Sequence, residues 1–253
     1  MRALLAYLAV ESGRAQRRES LTTLLWPNYS ETAAHTNLRQ ALYRLRCALG
    51  DRQASLPHLL ITAKEVHLNP AGDHWLDVSE FEAHIFVCRA HHPGGLSLCP
   101  DCVARLQTAV ELYRGDFLSG FSLPACPRFD WWQLSTAEAC HRQALEALTW
   151  LTDHYEARGE YALLSQYARR KIELEPWRES AHCRLMWARA LRGERGQALH
   201  QYEICRRELA QEMGVGPSAA TTQLYEQIRA GALDMRVHEK AATEFQTCPN
   251  PCP

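Results

Sequence analysis

Between residues 37 and 49 the order NLRQALYRLRCAL sets leucines at 38, 42, 45 and 49 against a face of arginine, amide and tyrosine side chains. At roughly 100° per residue the leucines fall on one narrow stripe of a helix. Thr36, Gln40, Tyr43 and Cys47 lie opposite, flanked by Arg39 and Arg46 on one side and Asn37 and Arg44 on the other. The same period predicts a short helix over 2–10, from Leu4, Leu5 and Leu8, and a second over 19–25. Trp26-Pro27-Asn28 closes the second, because proline has no amide hydrogen with which to continue the ladder. Ser30 or Thr32 can cap the third helix, which runs to Leu49 and ends at Gly50-Asp51. The period then falls to two: LLIT and EVHLN, separated by Ala63-Lys64, read as a β-hairpin. Three helices followed by a hairpin predict a winged helix-turn-helix over residues 1–70, with the third helix in the recognition position.

Beyond Pro70 the pattern changes to long helices. WLDVSEFEAHIFVC begins one, residues 102–113 form another, and the Gly- and Pro-containing stretch GDFLSGFSLPACPRFDWW leads into a long helix over 131–158. The next part repeats: Gly159 and Gly193 open GEYALLSQYARRKIELEP and GERGQALHQYEICRREL, and the same offset of 34 residues separates Leu164 from Ala198 and Ala168 from Tyr202. That period is the tetratricopeptide signature, in which helix pairs stack into a curved surface. The expected fold is therefore mainly α: a winged helix-turn-helix with a small β-hairpin wing, then a tetratricopeptide-like helical repeat domain over 76–231. A tail over 232–253 is expected to be disordered, since Pro249, Pro251 and Pro253 discourage a regular element.

Composition sharpens this division. The 253 residues are 46% apolar and 23% charged, as in an ordinary globular protein, with a formal net charge of -1. Residues 1–75 nevertheless hold nine Lys/Arg against six Asp/Glu, and the remainder nineteen against twenty-three. No acidic residue occurs from Thr32 to Gly50, whereas a merely solvated helix face usually mixes signs. Arg, Asn and Gln can make paired hydrogen bonds to base edges, and Arg also neutralises phosphates. Thr36, Asn37, Arg39, Gln40, Tyr43, Arg44 and Arg46 are thus candidate DNA contacts, with Lys64 at the tip of the wing. No run is long and apolar enough for a membrane span. Of the ten cysteines, Cys47, Cys140, Cys183 and Cys205 sit inside helical patterns, which suits a reducing cytoplasm.

One constellation stands outside the packing pattern. In CRAHHPGGLSLCPDC, Cys88-x2-His91 and Cys99-x2-Cys102 form two ligand-like pairs joined by a loop with Pro93-Gly94-Gly95. Three thiolates and an imidazole nitrogen in tetrahedral arrangement suit a structural zinc ion, held by Cys88, His91, Cys99 and Cys102. His92 is the competing imidazole, and the spacing does not choose between neighbours. Enzymatic signatures are thin: the chain has no glycine-rich phosphate loop, no G-x-S-x-G elbow and no H-E-x-x-H helix, so no enzyme and no required cofactor are expected.

LYRGDFLSGF (112–121), LEPWRESAHCRLMWARALRGERGQALHQYEICRREL (174–209) and EMGVGPSAATTQLYEQIRAG (212–231) resemble the bacterial transcriptional activator domain of SARP/AfsR-type regulators. The segment before them resembles the OmpR-type winged helix that accompanies it. The resemblance implies a transcriptional regulator, usually an activator, that binds promoter double-stranded DNA. It also implies that the helical domain meets RNA polymerase or another transcription component and supports a homodimer. Winged helices of this type begin with a small sheet, and this chain starts at the first helix, so a truncated domain with Leu4 and Leu8 exposed is expected. The alternative is a helical-repeat interaction module whose truncated winged helix no longer binds DNA.

Overall fold

The computed structural model describes residues 1–51, 53–92 and 98–233. From residue 234 the expected tail lies outside the described residues, as does the Pro93-Gly94-Gly95 loop. The chain forms two compact units that do not follow the linear order: one gathers residues 1–80 and 114–141, the other 81–113 and the chain from 142 onward.

In the first unit, α1 (Arg2–Val10), α2 (Arg18–Leu25) and α3 (Glu31–Ala48) surround a small sheet of β1 (Gln16–Arg17), β2 (Leu59–Ile61) and β3 (Glu65–Leu68). The sheet order is β1-β3-β2, antiparallel throughout, with Gln16 opposite Val66 and Leu59 opposite Leu68. The hairpin of the sequence pattern is present, and β1 adds a third strand to it. Ser30 caps α3 by accepting from the Ala33 amide at 3.4 Å, and Gly50 follows the helix at φ +64°, a conformation in which a Cβ would be strained. Leu38, Leu42 and Leu45 are buried, as their stripe predicts.

Leu4 and Leu8 are fully buried, against the expectation that they would be exposed. They belong to a core that holds Leu21, Leu38, Leu59 and Val66 and also Cys126, Phe129 and Trp132 from downstream, with Phe117, Leu118, Phe121 and Leu123 packed on it. Rings in this segment meet edge to face, Phe117 with Trp132 at 5.5 Å and Tyr7 of α1 with Trp132 at 5.0 Å. The Trp132 indole donates to Glu11 at 3.1 Å, and the Cys126 thiol to the Leu25 carbonyl at 3.3 Å.

The chain enters the second unit along α4 (Asp77–His91), continues through α5 (Pro100–Leu112), and returns to it along α6 (Pro127–Ala157). Four helices follow: α7 (Tyr161–Leu174), α8 (Glu179–Leu191), α9 (Arg195–Glu212) and α10 (Ala219–Ala230). The period of 34 marks the paired helices α7/α8 and α9/α10. Gly159 and Gly193 both adopt positive φ, 68° and 78°, ending one helix so that the next can turn back. Leu164, Ala168 and Ala198 are fully buried between helices. Buried polar groups pair within this unit: the Gln201 amide donates to His182 Nδ1 at 2.8 Å, and His182 Nε2 donates to the Pro176 carbonyl at 2.7 Å. Buried Lys171 donates to Thr149 at 2.7 Å.

Candidate functional site

The α3 face opposite the leucine stripe is open. Arg39, Gln40, Tyr43 and Arg44 are exposed, and Thr36 and Asn37 are half-buried beside them. Thr36 accepts from the Arg39 guanidinium at 3.2 Å while donating to the Thr32 carbonyl at 2.9 Å, which steers Arg39 along the helix. Neither Arg39 nor Arg44 has a carboxylate partner among the described residues. An arginine without a counter-ion keeps its donors for an anion brought from outside.

Arg46 differs from the other arginines of this helix. Its Nε donates to Asp51 at 2.8 Å, and the Asp51 side chain is fully buried. That carboxylate also accepts from the His58 amide and, at 3.2 Å, from the Leu59 amide. Burial raises the Asp51 carboxyl, but the hydrogen bonds from Arg46 and the two amides outweigh it and hold the group below its ordinary range. Arg46 and Asp51 therefore tie the end of α3 to the start of β2, which sets the wing against the helix.

Lys64 is exposed in the turn between β2 and β3. Thr62 shapes that turn, its hydroxyl accepting from the Lys64 and Glu65 amides at 3.2 and 2.9 Å. Two arginines that sequence reasoning passed over reach the same place. The Arg18 amide donates to the Lys64 carbonyl at 2.9 Å, and its guanidinium to the Thr62 carbonyl at 3.2 Å. Arg17, Arg18, His35 and Lys64 border one concavity of about 430 Å³, with Glu19 and Glu65 at its edge. The Arg17-Arg18 doublet at a helix start was the available signal; its strand pairing was not, because two residues are too short for a period.

In the second unit the ligand-like pairs converge, with one exchange. His91, His92, Cys99 and Cys102 bring one donor atom each within 4.8 Å of one another, an arrangement that could hold a structural metal. His91 Nδ1 lies 3.6 Å from Cys99 Sγ and 3.5 Å from Cys102 Sγ. Cys99 is the N-cap of α5, with its sulfur accepting from the Cys102 amide at 3.4 Å. Cys88, the expected fourth ligand, is not in the group: its buried thiol donates to the Cys102 carbonyl at 3.6 Å, inside the contact between α4 and α5. His92 takes that place because α4 ends at His91, so the following residue leaves the helix and turns its ring back toward Cys99, whose amide lies 3.3 Å from His92 Nε2. No disulfide joins any of the eight cysteines among the described residues.

No helix among the described residues is long and apolar enough to cross a membrane. The model of the bacterial transcriptional activator domain matches residues 76–229. Among solved structures, the chain is similar to Mycobacterium tuberculosis EmbR in complex with a low-affinity phosphopeptide, with a TM-score of 0.63 at 21% sequence identity. That similarity covers 96% of this chain and 62% of the EmbR chain, so this chain spans less than two thirds of the length it matches. No curated protein matches the chain. The mainly helical architecture, with its small antiparallel sheet in the first unit, is the fold the likeness shows. By the match over 76–229, the chain belongs to the family of the bacterial transcriptional activator domain, to which its resemblance to SARP/AfsR-type regulators pointed.

Proposed function

We propose that this protein is a DNA-binding transcriptional regulator, an activator, that works in the cytoplasm without enzymatic activity. In this reading α3 enters the major groove of promoter double-stranded DNA, with Arg39, Gln40, Tyr43 and Arg44 toward base edges and Thr36 and Asn37 at the margin. Lys64, with Arg17 and Arg18, meets phosphates beside the groove. Arg46 serves the geometry of the wing through Asp51. The helical repeats offer the surface for RNA polymerase or another transcription component and for a second copy of the chain. DNA binding needs no cofactor here; a structural zinc ion would serve the helical unit alone.

The observation that carries the reading is the exposed α3 face, whose Arg39 and Arg44 have no carboxylate partner among the described residues. The test is selection of a binding site from random duplexes, followed by gel-shift titration at several salt concentrations. Arg39→Ala should weaken the selected site by about 1–3 kcal/mol and relax its sequence preference, while Lys64→Ala should weaken all duplexes alike and lower the salt slope by about one. Equal affinity of the parent protein for selected and random DNA, unchanged by Arg39→Ala, would instead favour a protein-interaction module.

A further inference from the structure

We propose that His91, His92, Cys99 and Cys102 form a tetrahedral zinc site that staples the turn between α4 and α5. The inference stands apart from the DNA-binding reading, since all four residues belong to the second unit. Zinc binds thiolate at about 2.3 Å and imidazole nitrogen at about 2.0–2.1 Å, so a tetrahedron of such ligands has sulfur-to-nitrogen edges of about 3.5–3.6 Å. His91 Nδ1 stands 3.5 and 3.6 Å from the two sulfurs, the length of those edges. His92 closes the set, every ligand atom lying within 4.8 Å of the others.

The backbone holds the sulfurs in place for such an ion. Cys99 caps α5 and Pro100 occupies its first position. The Cys102 amide donates to Cys99 Sγ, a bond that strengthens when the sulfur carries charge. His92, Cys99 and Cys102 are buried. Two sulfurs and two imidazole nitrogens suit zinc, and four protein ligands leave no open position, so the ion is structural and not catalytic.

The ion would tie the end of α4 to the start of α5. Far from the cluster, Phe81 at one end of the α4 segment meets Tyr113 just past α5, ring centroids 5.8 Å apart. Cys88 touches the Cys102 carbonyl between the two ends. At the turn itself the connecting sequence, Pro93-Gly94-Gly95-Leu96-Ser97, contains a single large apolar residue. A metal bridging the last residues of α4 and the first of α5 shortens that connection and removes much of its freedom in the unfolded chain.

The competing chemistry is a redox pair, because Cys-Pro-x-Cys at a helix start can also close a disulfide. The full chain, purified without chelator and without a polyhistidine tag, separates the two by elemental analysis and by thiol titration after denaturation in chelator. About one equivalent of zinc and all ten thiols are expected. The cobalt-substituted protein should show the absorption of a tetrahedral site with thiolate-to-metal charge transfer, a readout that needs no variant. His92→Ala and the Cys99→Ser/Cys102→Ser double variant should fall below about a tenth of an equivalent, while Cys88→Ala keeps its zinc. Less than about a tenth of an equivalent in the parent chain, or two thiols missing from the titration, would overturn the site. Loss of zinc in Cys88→Ala with retention in His92→Ala would overturn the ligand set.

Discussion

Arg39 and Arg44 on α3 face outward with no carboxylate partner among the described residues, whereas several arginines along the repeat helices meet one. Arg184 reaches Asp153 and Glu156, Arg170 pairs with Glu173, Arg206 with Glu203, and Arg229 with Glu226. In the first unit Arg46 pairs with Asp51, and that half-buried pair holds the wing. In the proposed reading it is the absence of a counter-ion, and not the number of arginines, that marks the DNA-facing helix. Charges neutralised within their own helix give a solvated surface; charges left open create a site for an external anion. The cores differ in the same sense. Aromatic and leucine packing holds the first unit, and the second adds matched buried polar groups such as His182 with Gln201.

Three measurements would break or sharpen that contrast. The largest effect is expected at Phe129, which is fully buried and touches Trp132 and Phe121. Phe129→Ala should cost about 3–5 kcal/mol and expose α1, lowering hydrogen-exchange protection over residues 2–10. Unchanged protection there would mean that the aromatic segment does not hold the first unit together.

A smaller effect is expected at Asp51. Its removal as Asp51→Ala leaves the His58 and Leu59 amides without an acceptor, a cost of about 1–3 kcal/mol. Because the folded carboxyl is held below its unfolded value, the stabilisation is complete above about pH 4 and fades as pH falls through the folded pKa. Asp51→Asn should flatten that acid limb in urea titrations at a series of pH values. An acid limb identical to that of the parent chain would place the pH dependence elsewhere.

The smallest effect belongs to the exposed pairs of the repeats. Arg206→Ala and Arg229→Ala should each change stability by less than about 0.5 kcal/mol and leave DNA affinity unaltered, as thermal melts and gel shifts would register. A weakening of DNA comparable to that of Arg39→Ala would erase the distinction between paired and open arginines.

The sequence by itself determined what depends on near neighbours. Leu38, Leu42 and Leu45 lie a turn apart, so their period placed α3 and its open face without any partner in view. The same holds for the turn glycines at 159 and 193, whose spacing marked the repeat and whose positive φ angles carry it out. Only the tertiary structure decided matters that join distant residues. β1 is two residues long and exists through pairing with Val66 and Glu65, some fifty positions away, so no local pattern announced it. Leu4 and Leu8 share a core with Phe129 and Trp132, and burial of this kind depends on where a later segment lands. Arg46 read as one more base on an open face until folding placed Asp51 and the β2 amides beside it. The spacing paired Cys88 with His91 and offered His92 only as an alternative to His91, whereas folding brings both histidines to the cysteines. The choice turned on where α4 stops, because a helix carries Cys88 into the contact with α5, while the residue just beyond its end is free to swing its ring toward Cys99.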